Sequence, residues 1–136
     1  MSINLTAMNQ YKTVDLASSV ASASPHQLIA MLYDGALTAL ANAKGCIVRK
    51  DVEGRAKALN KANAIVLGLR DFLDLEKGGE IAENLNRLYD YIIRGIIEAN
   101  RNQSADKTQE LINLLLELKK GWVGMPLDVR MGKKAK

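Results

Sequence analysis

The side chains best suited to chemistry in this sequence are few, and each lacks the neighbours that its chemistry requires. His26 is the only histidine, whereas a di-iron bundle needs two Glu-x-x-His pairs and zinc needs several clustered His or Cys ligands. A phosphocarrier would present its histidine at mid-helix, whereas His26 follows Pro25 in a first helical turn, where we expect it to be exposed. Cys46, the only cysteine, falls on the apolar side of its predicted helix, so we expect a buried, unreactive thiol.

Two further patterns have some features of functional sites but predict no reaction. Gly78-Gly79 lacks the lysine, the Ser/Thr and the strand of a phosphate-binding loop, so we interpret it as a break between helices. In Tyr89-Asp90-Tyr91 we expect a half-buried first tyrosine, with the other two residues facing water or a neighbouring helix. The sequence therefore predicts no enzyme, no cofactor and no metal site.

Size and composition indicate one helical domain without nucleic-acid or membrane partners. The chain has 136 residues, of which 48% are hydrophobic and only 4% aromatic, and its apolar residues are mainly Leu, Ile and Ala. Its net charge is +4, but +3 of this lies in residues 124–136, so the rest has 15 basic and 14 acidic residues, intermixed. This body has no basic stripe for phosphates. With no signal-type N-terminus and no bilayer-length apolar run, we expect a cytoplasmic protein.

Capping signals and apolar periodicity predict four helices. Ser24 is a good N-cap, Pro25 suits the first helical position, and Gln27 completes a capping box. We predict helices from Pro25 to about Arg49, from a cap at Asp51 to about Asp74, from Glu80 to about Asn100, and from a cap at Ser104 or Asp106 to the residues before Gly124 and Pro126. Short connections favour an all-α, antiparallel up-down four-helix bundle over residues 24–123.

The two ends of the chain are predicted to differ from this bundle. Residues 1–23 contain scattered apolar side chains without a sustained period, so we interpret them as an N-terminal arm. This arm either docks on the bundle through Met8 and Tyr11 or is frayed. Residues 124–136 form a basic tail that we expect to be disordered.

The apolar faces of three helices are broader than a surface helix requires. The first helix presents an apolar arc of roughly 180°, and the third and fourth carry a second apolar ridge beside the core ridge. Four explanations remain open: cover by the arm, by a second copy of the chain, by a peptide of another protein, or an irregular bundle that buries these faces itself. The surplus residues are Ile29, Tyr33 and Leu37 in the first helix, Ile93 and Ile97 in the third, and Ile112 and Leu116 in the fourth.

Several separated blocks of the sequence resemble the bacterial flagellin export chaperones of the FliS family. The blocks cover the chain from Tyr11 to Trp122 and keep the family's order. They are Tyr11 with Val14 and Leu16, SASPHQLIAMLYDGA at residues 22–36, LDLEKGGEIAENLNRLYDYIIR at residues 73–94, Ala99-Asn100, and Trp122. The tail after Val123 departs from the family's usual short ending.

This resemblance implies a helical bundle that binds the disordered C-terminal segment of flagellin in the cytoplasm. It also implies that the segment wraps around the bundle in hydrophobic grooves, which prevents premature polymerisation and assists delivery to the flagellar export apparatus. We predict that the seven surplus residues named above contain much of the groove, with Met8 and Tyr11 as a displaceable cover. The free chain is expected to be a monomer or a weak homodimer. The alternative is a structural bundle that self-associates into a homodimer.

Overall fold

The computed structural model describes residues 24–124, which form four α-helices joined by short turns. They are α1 (Pro25–Arg49), α2 (Val52–Asp71), α3 (Leu75–Asn102) and α4 (Ala105–Val123). α1 packs against α2 and α4, and α3 packs against the same two helices, so the four form a ring in chain order. The predicted antiparallel up-down bundle is confirmed for this range. The proposed arm, with Met8 and Tyr11, and residues 125–136 lie outside the described residues.

The helix starts follow the predicted caps. Ser24 Oγ accepts from the Gln27 amide at 3.1 Å, and Gln27 Oε1 accepts from the Ser24 amide at 2.9 Å, which completes the capping box. The Asp51 side chain accepts from the Gly54 amide at the start of α2. The sequence predicted a cap at Ser104 or Asp106 for α4, and Ser104 is the N-cap. Each cap satisfies amides that have no partner within the first helical turn.

The junction between α2 and α3 differs in detail from its prediction. α2 ends at Asp71 rather than near Asp74, because Asp74 instead caps the next helical turn and accepts hydrogen bonds from two of its amides. The chain leaves helical geometry at Gly79 (φ 57°, ψ −139°), and the regular part of α3 follows from Glu80. This positive φ favours glycine, so the predicted break is confirmed at Gly79, although one helical turn precedes it.

One continuous core fills the centre of the ring. It is built from buried side chains of all four helices. Long side chains fill it, and the small ones let the helices approach closely. Its fully buried large members include Leu28, Leu32, Leu40, Leu59, Leu69, Ile92, Leu111 and Leu115.

Gly95 of α3 lies directly against the Leu111 side chain of α4. A Cβ atom at this position would lie 2.7 Å from Cδ2 of Leu111 and 3.2 Å from its Cδ1. Because Leu111 is fully buried, it has little room to move aside. The two helices are therefore closely packed at Gly95.

We therefore expect Gly95→Ala and Gly121→Ala to change stability in opposite directions. Nothing lies within 4 Å of a Cβ built on Gly121, so alanine there should add about 0.5–1 kcal/mol through helix propensity. At Gly95 the same gain is exceeded by overpacking of about 1–3 kcal/mol, so a net loss is expected. Urea unfolding of the two variants measures the difference, and an equal gain at both sites would contradict the close approach.

Candidate binding surfaces

The structure separates the seven predicted groove residues into a buried pair and two groups that combine half-buried and exposed side chains. Ile29 and Tyr33 lie inside the core, with 3% and 1% of their surface exposed. The broad face of α1 is therefore largely covered by the bundle itself. The other five, whose role in binding stays a prediction, lie along two different seams between helices.

The seam between α1 and α4 is marked by two polar contacts. Asp34 pairs with Lys119, and Lys44 Nζ donates to Gln109 Oε1 at 2.7 Å. The residue numbers rise along α1 and fall along α4, as expected for antiparallel neighbours. These contacts identify the side of each helix that faces the other.

Leu37, Ile112 and Leu116 lie on these two facing sides, and we call them the first stripe. Ile112 follows Gln109 by three residues, and Leu37 follows Asp34 by three, so each is a neighbour of a contact residue on the helix surface. Leu37 and Ile112 are half-buried against the core, whereas 49% of Leu116 is exposed. The first stripe thus places apolar surface between two polar contacts.

The seam between α2 and α3 has the same construction. Arg55 Nε donates to Asn100 Oδ1 at 3.0 Å, and Arg70 lies 3.9 Å from the Asp90 carboxylate. These two contacts lie near opposite ends of the seam. They show which side of α3 faces α2.

Between these two polar contacts, α3 presents Ile93 and Ile97. We call these two residues, together with Leu67 of α2, the second stripe. Ile93 follows Asp90 by three residues and Ile97 follows Ile93 by four, so they continue the side that faces α2. Ile93 is half-buried, and Ile97 is 57% exposed. Leu67 is half-buried three residues before Arg70. Its position off the core stripe of its helix was the sequence signal for this role, but it was not included among the predicted groove residues.

The seam between α3 and α4 is polar instead. Lys107 Nζ lies 2.9 Å from the Tyr91 hydroxyl, 3.3 Å from Glu98 and 3.2 Å from Glu110. It also lies 4.8 Å from the centroid of the Tyr91 ring, within range of a cation–π contact. The Tyr91 hydroxyl donates to Glu110. A seam crossed by this network is a poor surface for an apolar segment.

The network also changes the acidity of Glu110. The hydrogen bond from Tyr91 is the main cause that lowers the pKa of this carboxyl, and the contact with Lys107 adds to it. The pKa of Glu110 is lower in the folded chain than in the unfolded chain. The ionised carboxylate therefore stabilises the fold fully at pH values above the unfolded pKa, and this stabilisation is lost as the pH falls through the folded pKa.

We therefore expect Tyr91→Phe to raise the pKa of Glu110 towards its ordinary value while leaving it below that value. The phenyl ring keeps the packing of the tyrosine and removes the donated hydrogen bond. Titration of the Glu110 carboxyl carbon by NMR measures this change. An unchanged titration curve would show that the hydroxyl does not contact Glu110 in solution.

His26 and Tyr89 are more buried than the sequence suggested. His26 was expected to be exposed, but it is half-buried and lies against the Trp122 ring, with centroids 5.0 Å apart. Trp122 Nε1 donates to the His26 carbonyl at 3.1 Å. Tyr89 was expected to be half-buried, but it is buried and its hydroxyl is hydrogen-bonded to that of Tyr33. Both corrections have one cause, a partner on a distant part of the chain.

No cluster of metal-ligating side chains is found in the part of the chain that the structure describes. Among residues 24–124, no three His, Cys, Asp or Glu side chains group closely enough to hold a metal ion. Cys46 is buried as predicted, with its Sγ 3.5 Å from Arg49 Nη2. Over the same residues, no helix combines the length and the apolar character needed to cross a membrane.

Comparison with known proteins finds a match over most of the chain. The family described as "Flagellar protein FliS" matches residues 7–127. The flagellar secretion chaperone FliSB of Pseudomonas aeruginosa is 42% identical over 121 residues, which cover 89% of this chain and 96% of the relative. The flagellar secretion chaperone FliS of Salmonella typhimurium is 46% identical over 118 residues, covering 86% and 87%. That of Bacillus subtilis is 28% identical over 105 residues.

Proposed function

Because the chain belongs to the FliS family of flagellar proteins, we propose that it is a cytoplasmic export chaperone for flagellin. It binds the disordered C-terminal segment of flagellin on the first and second stripes. While the chaperone holds this segment, flagellin does not polymerise before export, and the complex assists delivery of flagellin to the flagellar type III export apparatus. The observation that carries the proposal is the exposure of Ile97 and Leu116 on two helix seams.

The placement of the stripes determines how one segment can contact both. In the ring of four helices, the seam between α1 and α4 and the seam between α2 and α3 lie on opposite sides. A segment in contact with both stripes must therefore pass around the outside of the bundle. An extended and partly helical peptide suits this path, because helical parts can place apolar side chains in a groove while extended parts cross between seams.

A wrapping segment also explains why two stripes are needed. A disordered segment that orders on binding loses roughly 2–5 kcal/mol of its gross interaction energy. One stripe of two or three side chains offers little apolar area to offset this loss. Joining both stripes through one chain makes the second contact intramolecular and raises the overall affinity.

Ile29 and Tyr33 contribute to the proposed site only indirectly. Both are buried, so a peptide would reach them only if α1 moved away from its neighbours. The proposal therefore places flagellin on Leu37, Ile112 and Leu116 and on the second stripe. Met8 and Tyr11 keep the proposed role of a cover that flagellin displaces.

Sizing with a flagellin C-terminal peptide tests the proposal against the homodimer alternative. We expect a monomer, or a weak dimer that dissociates on dilution, to shift to a one-to-one complex when the peptide is added. A dimer that persists at all concentrations and ignores the peptide would instead favour the self-associating bundle.

Amide exchange on the same sample tests the proposed cover. On peptide binding we expect protection to increase along both stripes and to decrease within residues 1–23. Protection that increases on one seam alone would contradict the wrapping path, and unchanged exchange in residues 1–23 would contradict the displaced cover.

A further inference from the structure

One end of the bundle carries exposed apolar side chains that belong to neither stripe. The contact between Trp122 and His26 brings the end of α4 to the start of α1, and the antiparallel order places the junction between α2 and α3 at the same end. Leu75, Ile81 and Val123 are 49%, 41% and 51% exposed there. We call these three residues the end surface.

The end surface is bordered by negative charge. Residues 71–83 contain five acidic side chains and one basic one, Lys77. Asp74 caps the first turn of α3. Within residues 24–124, none of the other four acidic residues forms an ion pair: Asp71, Glu76, Glu80 and Glu83. A segment that covers this end should therefore be apolar in one part and basic in another.

The sequence after Gly124 has this composition and is attached at this end. Residues 125–136 carry four basic side chains and one acidic one, a net charge of +3. Apolar residues occupy every second position at its start, the alternation typical of an extended segment, and the basic residues follow: Met125, Leu127, Val129 and Met131, then Lys133, Lys134 and Lys136.

Residues 125–136 are long enough to cross the end surface, and their charge distinguishes them from the N-terminal segment. Twelve residues at about 3.3–3.6 Å each extend up to about 40 Å, which exceeds the width of two packed helices. Residues 1–23 also end at this face, at Ser24, but Lys12 and Asp15 are their only charged side chains and cancel. Charge complementarity therefore selects the C-terminal segment.

We propose that residues 125–136 dock across the end surface of their own chain. The alternating apolar residues cover Leu75, Ile81 and Val123, and the terminal lysines lie beside Glu76 and Glu80. The contact is independent of the flagellin proposal, since the end surface lies off both stripes.

Zero-length carbodiimide crosslinking of the full chain, with the products located by mass spectrometry, tests this contact. We expect amide links from the terminal lysines to Glu76 and Glu80 in preference to Glu117. Glu117 is the matched control, because it is exposed and only seven residues before Gly124, within reach of a freely moving segment. The preferred links should fall roughly tenfold between about 0.01 M and 1 M salt, where the Debye length drops from about 30 Å to about 3 Å.

A charge exchange separates specific docking from general attraction. Lys134→Glu alone should weaken the links made by its neighbours, and combining it with Glu80→Lys should restore a link between positions 80 and 134. Circular dichroism checks that the variants keep their helices. Links spread equally over Glu117 and the end surface, links between two copies, or links from Lys12 to Glu80 in place of the terminal lysines would each overturn the proposal.

Discussion

A flagellin C-terminal peptide should bind the Ile97→Asp and Leu116→Asp variants roughly ten- to a hundredfold more weakly than the unchanged chain. Burying an Ile or Leu side chain contributes about 1.5–3 kcal/mol, and each 1.4 kcal/mol corresponds to about tenfold in affinity. A carboxylate at either position would also have to lose water without gaining a partner. Both side chains are about half exposed or more, so the free bundle should tolerate the substitutions. Isothermal titration of the peptide measures the effect.

Ile81→Asp is the matched control for these variants. Ile81 lies on the same helix as Ile97 and is also exposed, but it belongs to neither stripe. It should therefore keep the affinity of the unchanged chain. Equal losses in all three variants would point to a general effect of added negative charge and would remove the stripes from the site.

The variant that combines Ile97→Asp with Leu116→Asp tests whether one flagellin segment contacts both stripes. If one segment contacts both, each single substitution weakens the same complex and the combination weakens it further. If the stripes bound independent segments, a peptide that binds only one stripe would keep its affinity when the other stripe carries the substitution. The full-length peptide distinguishes these cases, because only a segment that contacts both stripes loses affinity in each single variant and loses more in the double variant.

The sequence predicted the bundle because its signals are local. Ser24, Asp51 and Ser104 accept hydrogen bonds from amides within the next three residues, so the residues involved are read directly from the chain. The break at Gly79 is similarly local, because its positive φ depends on glycine itself. The end of α2 was placed three residues late because the apolar period continues through Phe72 and Leu73 after the helix has ended.

The site was predicted less completely because periodicity does not identify the neighbour of each ridge. Tyr33 and Leu37 both lie on the broad side of α1, but one is buried and the other lies on a seam. The difference depends on Tyr89, which is 56 residues away and supplies a hydroxyl partner for Tyr33. Ile97 and Leu116 likewise lie on different seams, because the side of α3 that carries Ile97 faces α2 and not α4. Such long-range contacts leave no signal in the spacing of either helix.

Replacing Tyr33 by alanine should lower the free energy of unfolding by about 3–5 kcal/mol, the usual cost of removing a large buried aromatic side chain. The residue is 1% exposed, and its ring centroid lies 6.4 Å from that of Tyr89. Weakened flagellin binding in this variant would therefore report damage to the bundle. Phenylalanine substitutions are more informative, because they keep the ring and remove only the hydroxyl.

The phenylalanine variants should be strongly non-additive. Tyr33→Phe leaves the Tyr89 hydroxyl buried without its partner, which should cost about 1–3 kcal/mol, whereas replacing both tyrosines should cost much less because no polar group is then left unpaired. Chemical unfolding of the two single variants and the double variant measures the coupling. Additive losses would show that the two hydroxyls do not bond to each other in the core.

The same pair predicts a loss of stability at high pH. Burial raises the pKa of Tyr33 to about 12 and that of Tyr89 well above its ordinary value. Because unfolded tyrosines release their protons near pH 10, the unfolded chain binds fewer protons than the folded chain above that pH. The contribution of the pair is therefore complete below about pH 10 and declines as pH rises towards 12. The double phenylalanine variant should show a shallower decline. An equally steep decline would place its origin outside the Tyr33–Tyr89 pair.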